Sequence, residues 1–361
     1  MQLIELFVAN DDPRRFLECY SLICFFSMAL WKLFSFHCYG NQWRILLNKT
    51  IETEMEEFEE ENIQYDFNYE SKQCTVNVSK HIEKYTNAFQ STFTFIVRIY
   101  SIPAMIFIMS PFIKYALKKY YDQEMTSDYP HFLPIWTPLD ESGMFGYLLT
   151  VMLETIASMY TVGAHIVFDL TIIGVMMFLQ GQFYLLRDKC EQIAGSREIS
   201  KLSTVRDSQA RINIKNCHRI HVSLIRIVKL LNHLTKNIFG FYFAMATTAL
   251  CSIAVQLKSN LHITEVISLV QYLGGTLTQL FILCYYGDAL LNVSAVKMGS
   301  GPHGSAWWSL SPRIRKELLL LNTGMSFTYY LEAAPFFSLN LPSFVQIIRT
   351  AYSCYAVLNQ V

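Results

Sequence analysis

Gln346, Thr350, Ser353, Val357 and Gln360 follow one another at spacings of three or four residues in the last stretch of the chain, Leu341 to Val361. On a helix they share one face. That face is mild, narrow and nearly uncharged. The stretch has 21 residues, about 31 Å as a helix and close to the hydrocarbon thickness of a bilayer. Two readings fit. The plainer one, favoured on helix pattern alone, is a buried membrane helix whose few polar side chains hydrogen-bond to neighbours. The sharper one is a pore lining.

Other chemistry-bearing groups are sparse. His165 and Asp169, four apart in an apolar stretch, are ionisable groups at membrane depth, where such residues are rare and functional by default. A hydrogen bond between the two, facing the interior, is the expected arrangement. Cys217, His218 and His221 have no second ligand pair and make a poor metal site. The nine cysteines are spread without paired spacing, against a disulfide framework or zinc ribbon. No Gly-rich phosphate loop, HExxH, GxSxG or pair of acids within a span is present, so the chain does not read as an enzyme. No cofactor and no metal is expected.

These residues must be positioned by membrane helices. Of 361 residues 52% are hydrophobic and only 16% charged, against about 25% charged in soluble domains. The chain therefore reads as an all-α polytopic membrane protein. Zero net charge gives no support for nucleic acid as a partner. Apolar stretches predict six crossings, at 16–39, 88–112, 146–182, 238–257, 263–287 and 341–361. Lys32, near one end of the first, is expected to snorkel. Glu52 to Glu61 reads as a solvated helical stem. Ser311-Pro312 reads as a helix start, with Ser as cap and Pro in the first turn. Leu310, Ile314, Leu318 and Leu321 then repeat at helical spacing in a short amphipathic segment that packs against protein without crossing.

Basic residues alternate between the loops. They crowd 40–86 (Arg44, Lys49, Lys72, Lys80, Lys84), 183–225 (Arg187 to Arg219) and 288–340 (Lys297, Arg313, Arg315, Lys316), and thin out in 113–144, 258–262 and after 341–361. The positive-inside rule puts the basic loops in the cytosol and the C-terminus outside. The sequons at Asn48, Asn77 and Asn292 then face the cytosol and are expected to be unmodified. MQLIELFV reads as the end of a further helix, giving seven spans with a cytosolic N-terminus.

The C-terminal third resembles the insect odorant receptors. The resemblance is carried by Ser305-Ala306-Trp307-Trp308-Ser309-Leu310-Ser311-Pro312, by Arg315 to Leu321, by Phe336-Phe337-Ser338-Leu339-Asn340-Leu341, and by Ile348-Arg349-Thr350-Ala351-Tyr352-Ser353-Cys354-Tyr355-Ala356-Val357-Leu358. Upstream, Leu133 to Pro138 with Tyr147 is similar to the family's second outer loop, and Phe16 to Leu47 to its second helix, with the first largely missing. Arg349, Cys354 and Ala356 stand where many members have Lys, Tyr and Thr, and Ala333-Ala334 where they have Gly.

The resemblance implies the seven-helix inverted fold, with the C-terminus extracellular and four subunits around one pore. It implies a ligand-gated, weakly selective cation channel in the plasma membrane of olfactory sensory neurons, assembled as a homotetramer or with a shared co-receptor as a heterotetramer. Residues 1–287 would be the transmembrane bundle with its ligand pocket, 288–340 the cytosolic anchor segment and 341–361 the pore helix. Val357 takes the place of the hydrophobic gate and Gln360 that of the polar ring outside it, with Gln346, Thr350 and Ser353 further along the path. Arg349 is expected to turn toward the cytosolic packing surface. A small volatile odorant calls for an aromatic and aliphatic pocket in the outer halves of the spans, with Tyr20, Tyr100, Phe107, Met152, Ile156, Tyr160, Val270 and Tyr272 as candidates. Leu310, Ile314, Leu318 and Leu321 would anchor neighbouring subunits. A gustatory-type ligand-gated channel and a secondary transporter are the alternatives, the latter without the internal repeat it would need.

Overall fold

The computed structural model describes residues 13–67, 78–120, 131–133, 144–195, 203–258, 263–294, 298–335 and 337–358. Gln360, Asn77, the stretch 134–138 and the first twelve residues lie outside them. The described chain is almost wholly helical: α1 (Pro13–Cys38), α2 (Gly40–Phe67), α3 (Val78–Tyr120), α4 (Met144–Glu191), α5 (Thr204–Leu257), α6 (Ile263–Asn292), a short α7 (Ser300–Gly304), a 3₁₀ turn at Trp307–Ser309, α8 (Pro312–Met325) and α9 (Leu341–Leu358). Two-residue strands β1 (Glu332–Ala333) and β2 (Phe337–Ser338) pair antiparallel between α8 and α9, with Ala333 opposite Phe337.

Five helices are long and apolar enough to cross a membrane: Phe16–Cys38, Val78–Ile113, Met144–Glu191, Thr204–Leu257 and Val266–Asn292. They coincide with the first five expected crossings. α9 falls short of that measure, because its 18 described residues include Gln346, Arg349, Thr350 and Ser353. Its place in the bundle comes from packing against α5 and α6.

Three helices greatly exceed a bilayer, α3 with 43 residues among them. α4 with 48 residues and α5 with 54 are about 72 and 81 Å long. Within 183–225, expected as a basic loop, residues 183–191 are instead the end of α4 and 204–225 the start of α5. The reason is a seam along α5: Ala210, Ile214, Cys217, His221, Leu224, Val228, Leu231, Thr235, Ile238 and Tyr242 alternate spacings of four and three and are all buried. Such a seam holds a helix against its neighbours whatever its opposite face carries. α2, α7 and α8 pack around these extensions.

Inside the membrane-length part the amphipathicity of α4 is reversed. Thr150, Glu154, Ser158, Thr161 and His165 are buried, while Leu148, Met152, Leu153, Ile156, Met159 and Tyr160 are exposed. In water this would be costly; against lipid it is the stable orientation, since polar groups find partners only inside the bundle.

Several local expectations are corrected. Lys32 does not snorkel; it is 2% exposed. The stem at Glu52 to Glu61 is solvated on one side only, for Glu57 is buried and accepts from Lys189, and Glu54 accepts from the Tyr85 hydroxyl. Ser311 occupies the N-cap of α8, and Pro312 its first turn, but the hydroxyl makes no capping bond. Its backbone N–H donates to Asp207 Oδ1 at 3.1 Å instead, tying α8 to α5. Leu310, Ile314, Leu318 and Leu321, expected to anchor neighbouring subunits, are all buried in the chain's own core, and Leu319 and Leu320 on the other side of α8 are exposed.

The hairpin sets the start of α9. Ala334 sits in the left-handed region at φ 58°, a conformation glycine adopts without strain. Its N–H donates to Lys236 O at 3.1 Å, and the Glu332 N–H donates to Asn232 Oδ1 at 2.7 Å, so the turn is pinned to α5. Gly240 and Gly287 permit this docking. A Cβ on the first would lie 2.6 Å from the Ala334 Cβ, and on the second 2.3 Å from the Leu339 carbonyl oxygen. Asn340 then caps α9, its Oδ1 accepting from the Ser343 N–H at 3.0 Å.

Candidate functional site

Five helices enclose a cavity of about 720 Å³, within the range of small-molecule sites. Each gives one face at helical spacing: Ser21, Phe25 and Met28 from α1; Tyr100, Pro103, Phe107 and Pro111 from α3; Ser158, Val162 and His165 from α4; Tyr242, Met245, Ala246 and Ala249 from α5; Ser268, Tyr272, Thr276 and Gln279 from α6. Phe132 and Leu133, buried against Ile108, add to the wall. The lining is mainly aromatic and aliphatic.

Of the eight expected ligand residues, the cavity brings together Tyr100, Phe107 and Tyr272. Met152, Ile156, Tyr160 and Val270 are 54%, 61%, 66% and 52% exposed and face away from the bundle, because the apolar side of a membrane helix is its lipid side. Tyr20 is half-buried and lies outside the lining. The α5 wall was not expected at all; its signal was the three-and-four spacing running on from the seam through Ala246 and Ala249. The α4 wall was signalled by the polar line Glu154, Ser158, Thr161 and His165.

At one end the cavity abuts a buried charged network. Lys32 Nζ donates to Asp169 Oδ1 at 2.6 Å and lies 3.1 Å from His165 Nδ1. Asp169 Oδ2 accepts from the Tyr100 hydroxyl and, at 2.8 Å, from Gln279 Nε2. His165 Nε2 lies 3.2 Å from Phe25 O, and its ring stacks on Phe25 at 4.5 Å. His165 and Asp169 are therefore joined through Lys32 and not to each other, a correction of the expected pair. The lysine explains the arrangement: a buried carboxylate is tolerated when a cation and further donors compensate it. One carboxylate thus links α1, α3, α4 and α6.

The second candidate surface is α9. Ser343, Ile347 and Ala351 face the bundle, whereas Gln346, Thr350, Ser353 and Val357 are exposed. The Thr350 hydroxyl donates to Gln346 O and the Ser353 hydroxyl to Arg349 O, both at 2.9 Å, so their oxygens keep lone pairs for whatever lies outside. Arg349, expected on a packing surface, is exposed beside this stripe. α9 is linked to the cavity through α6, where Phe281 meets Phe344 edge-on at 5.5 Å.

These features define an all-α, multi-pass membrane protein built around a cavity of ligand size. A family model described as 7tm odorant receptor matches residues 44–352, and the chain belongs to that family, one of receptors and not of enzymes. Odorant receptor 82a of Drosophila melanogaster is 23% identical over 259 residues, 71% of this chain and 64% of the relative. Odorant receptor 13a of the same organism is 24% identical over 61% of this chain and 55% of its own length. The chain thus spans less than two thirds of these curated relatives. Among solved structures, the olfactory receptor OR5 of the insect Machilis hrabei matches 99% of this chain and 84% of its own, with a TM-score of 0.74 at 16% identity. The same receptor in complex with eugenol gives 0.73. The fold is that of the insect olfactory receptors.

Proposed function

We propose that the chain is the odour-specific subunit of a ligand-gated, weakly selective cation channel, binding a small volatile in the helical cavity and opening a water path lined by α9. The observation that carries this reading is the outward turn of the stripe Gln346, Thr350, Ser353 and Val357 while the opposite face of α9 packs on α5 and α6. A polar face turned from the bundle at membrane depth is costly against lipid and stable against water. Four such faces, from copies of this chain or from this chain and a shared co-receptor, make a path whose hydroxyl oxygens accept cations and whose Val357 ring closes it by dewetting.

In this reading the long basic extensions of α4 and α5 are cytosolic, the C-terminus is outside, and the receptor sits in the plasma membrane of olfactory sensory neurons. OR5 of Machilis hrabei is solved in complex with eugenol, which supports a small volatile as the ligand class. Gating follows if the ligand makes better contacts in the open arrangement than in the closed one. α6 offers one link, since it holds Tyr272 and Gln279 in the cavity wall and carries Phe281 and Gly287 against the α9 segment. The test is expression with and without a co-receptor, with current recorded against an odour panel. Odour-evoked cation current supports the proposal, and its absence in both conditions, with the chain at the cell surface, rejects it.

A further inference from the structure

We propose that the ligand of this cavity is a neutral molecule with one oxygenated group, a ketone, ester, aldehyde or alcohol, held by the Tyr242 hydroxyl. This rests on the cavity being the odorant site. Three tyrosines line the wall. The Tyr100 hydroxyl donates to Asp169, and the Tyr272 hydroxyl donates to Ser21 O at 3.2 Å. Tyr242, 5% exposed, has a buried hydroxyl with no hydrogen-bond partner. A buried, unpaired phenol is costly, and a ligand oxygen at this point removes that cost.

The neighbours narrow the chemistry. His165 and Gln279 at the same end have partners in Asp169, Lys32 and Phe25 O. Lys32, whose Nζ lies 5.8 Å from the Tyr242 ring centroid, is paired with Asp169. The pair sums to zero, so an ionised ligand would meet no compensating charge there and would lose its hydration. Elsewhere the wall is mainly aromatic and aliphatic and takes an alkyl or aryl body; the lining carboxylate of Glu18 is exposed and lies fourteen residues along α1 from Lys32, about 21 Å away. Ser158 Oγ is the other unpartnered buried atom in the lining, but it lies seven residues along α4 from His165, about 10 Å away.

Ketones, alcohols and chain-matched hydrocarbons of equal length are applied to cells carrying the full receptor with its co-receptor, and half-maximal concentrations are measured for the wild type, Tyr242→Phe and Tyr272→Phe. Surface levels are measured alongside. The oxygenated members are expected to be the stronger ligands and to weaken about three- to ten-fold in Tyr242→Phe, while hydrocarbons do not. Tyr272→Phe is expected to move both groups alike. Equal losses for ketone and hydrocarbon in Tyr242→Phe, unchanged ketone potency, a hydrocarbon as potent as its ketone, or no response to any member overturns the proposal. Ala104→Trp, which fills the cavity from its rim on α3, separates the two levels. If it abolishes all responses while Tyr242→Phe spares ketones, the cavity reading stands and the assignment to Tyr242 falls. If responses survive Ala104→Trp, the cavity reading itself falls, and this proposal with it.

Discussion

Replacing Asp169 by leucine removes the only carboxylate beside Lys32 among the described residues, and the structure sets the size of the effect. Both side chains are 3% exposed and lie 2.6 Å apart, so neither recovers water when the other is lost. Lys32 would keep His165 as its acceptor, and Tyr100 and Gln279 would each lose the oxygen they donate to. Leaving one member of a buried pair uncompensated costs about 3–5 kcal/mol, which for a chain of this size lowers the melting temperature by roughly 4–7 °C. Lys32→Met is expected to cost less, because Asp169 retains two donors. The double variant, Lys32→Met with Asp169→Leu, is expected to recover most of the loss, since no charge remains buried. Thermal unfolding of detergent-purified receptor, followed by size-exclusion fluorescence, measures all four proteins. Equal stability of Asp169→Leu and wild type, or a double variant as unstable as the sum of the singles, would refute the network as a compensated unit.

Further outcomes follow from the α9 region. Val357→Lys is expected to change leak or rectification without loss of assembly, read as current–voltage curves beside surface expression; unaltered currents count against the gate. Gly287→Val forces a branched side chain onto the Leu339 backbone oxygen, 2.3 Å from where its Cβ would sit, and is expected to cost about 1–3 kcal/mol, seen as a lower melting temperature with weakened responses. Ala334→Gly relieves the positive φ of 58° and is expected to stabilise by about 0.5–1 kcal/mol; a lower melting temperature would contradict the strain.

The faces of the helices were legible in the sequence, but which face looks inward was only partly so. The stripe on α9 was readable because its polar residues repeat with the helical period and differ from their surroundings. Met152, Ile156 and Tyr160 were misplaced by the soluble-protein rule that apolar means inside; in lipid the informative residues were the polar ones on the other side of α4. Tyr242 and Ala246 carry no such contrast, being apolar or aromatic among their like. Lys32 near a helix end looked like a snorkelling residue, because its partner Asp169 is 137 positions away and no local pattern reports such a contact. The leucines of α8 repeat with the right period for packing, but period alone does not say whether the surface they meet belongs to the same chain. The family motifs around Trp307 and Ile348 reached further than periodicity, since they tied the α9 segment to a known architecture.

The claim on which the channel reading rests is that the exposed face of α9 meets water in the assembled receptor. Single cysteines at Gln346, Thr350 and Ser353, with Ile347 and Ala351 as packed-face controls, are treated with a charged thiol reagent while odour-evoked current is recorded, on a background in which the exposed Cys354 is replaced by serine. Block at the three stripe positions, faster when the odour is present, and none at the two controls is the expected result. Block at the controls alone, or at no position in a receptor that still conducts, would mean that the path for ions runs elsewhere.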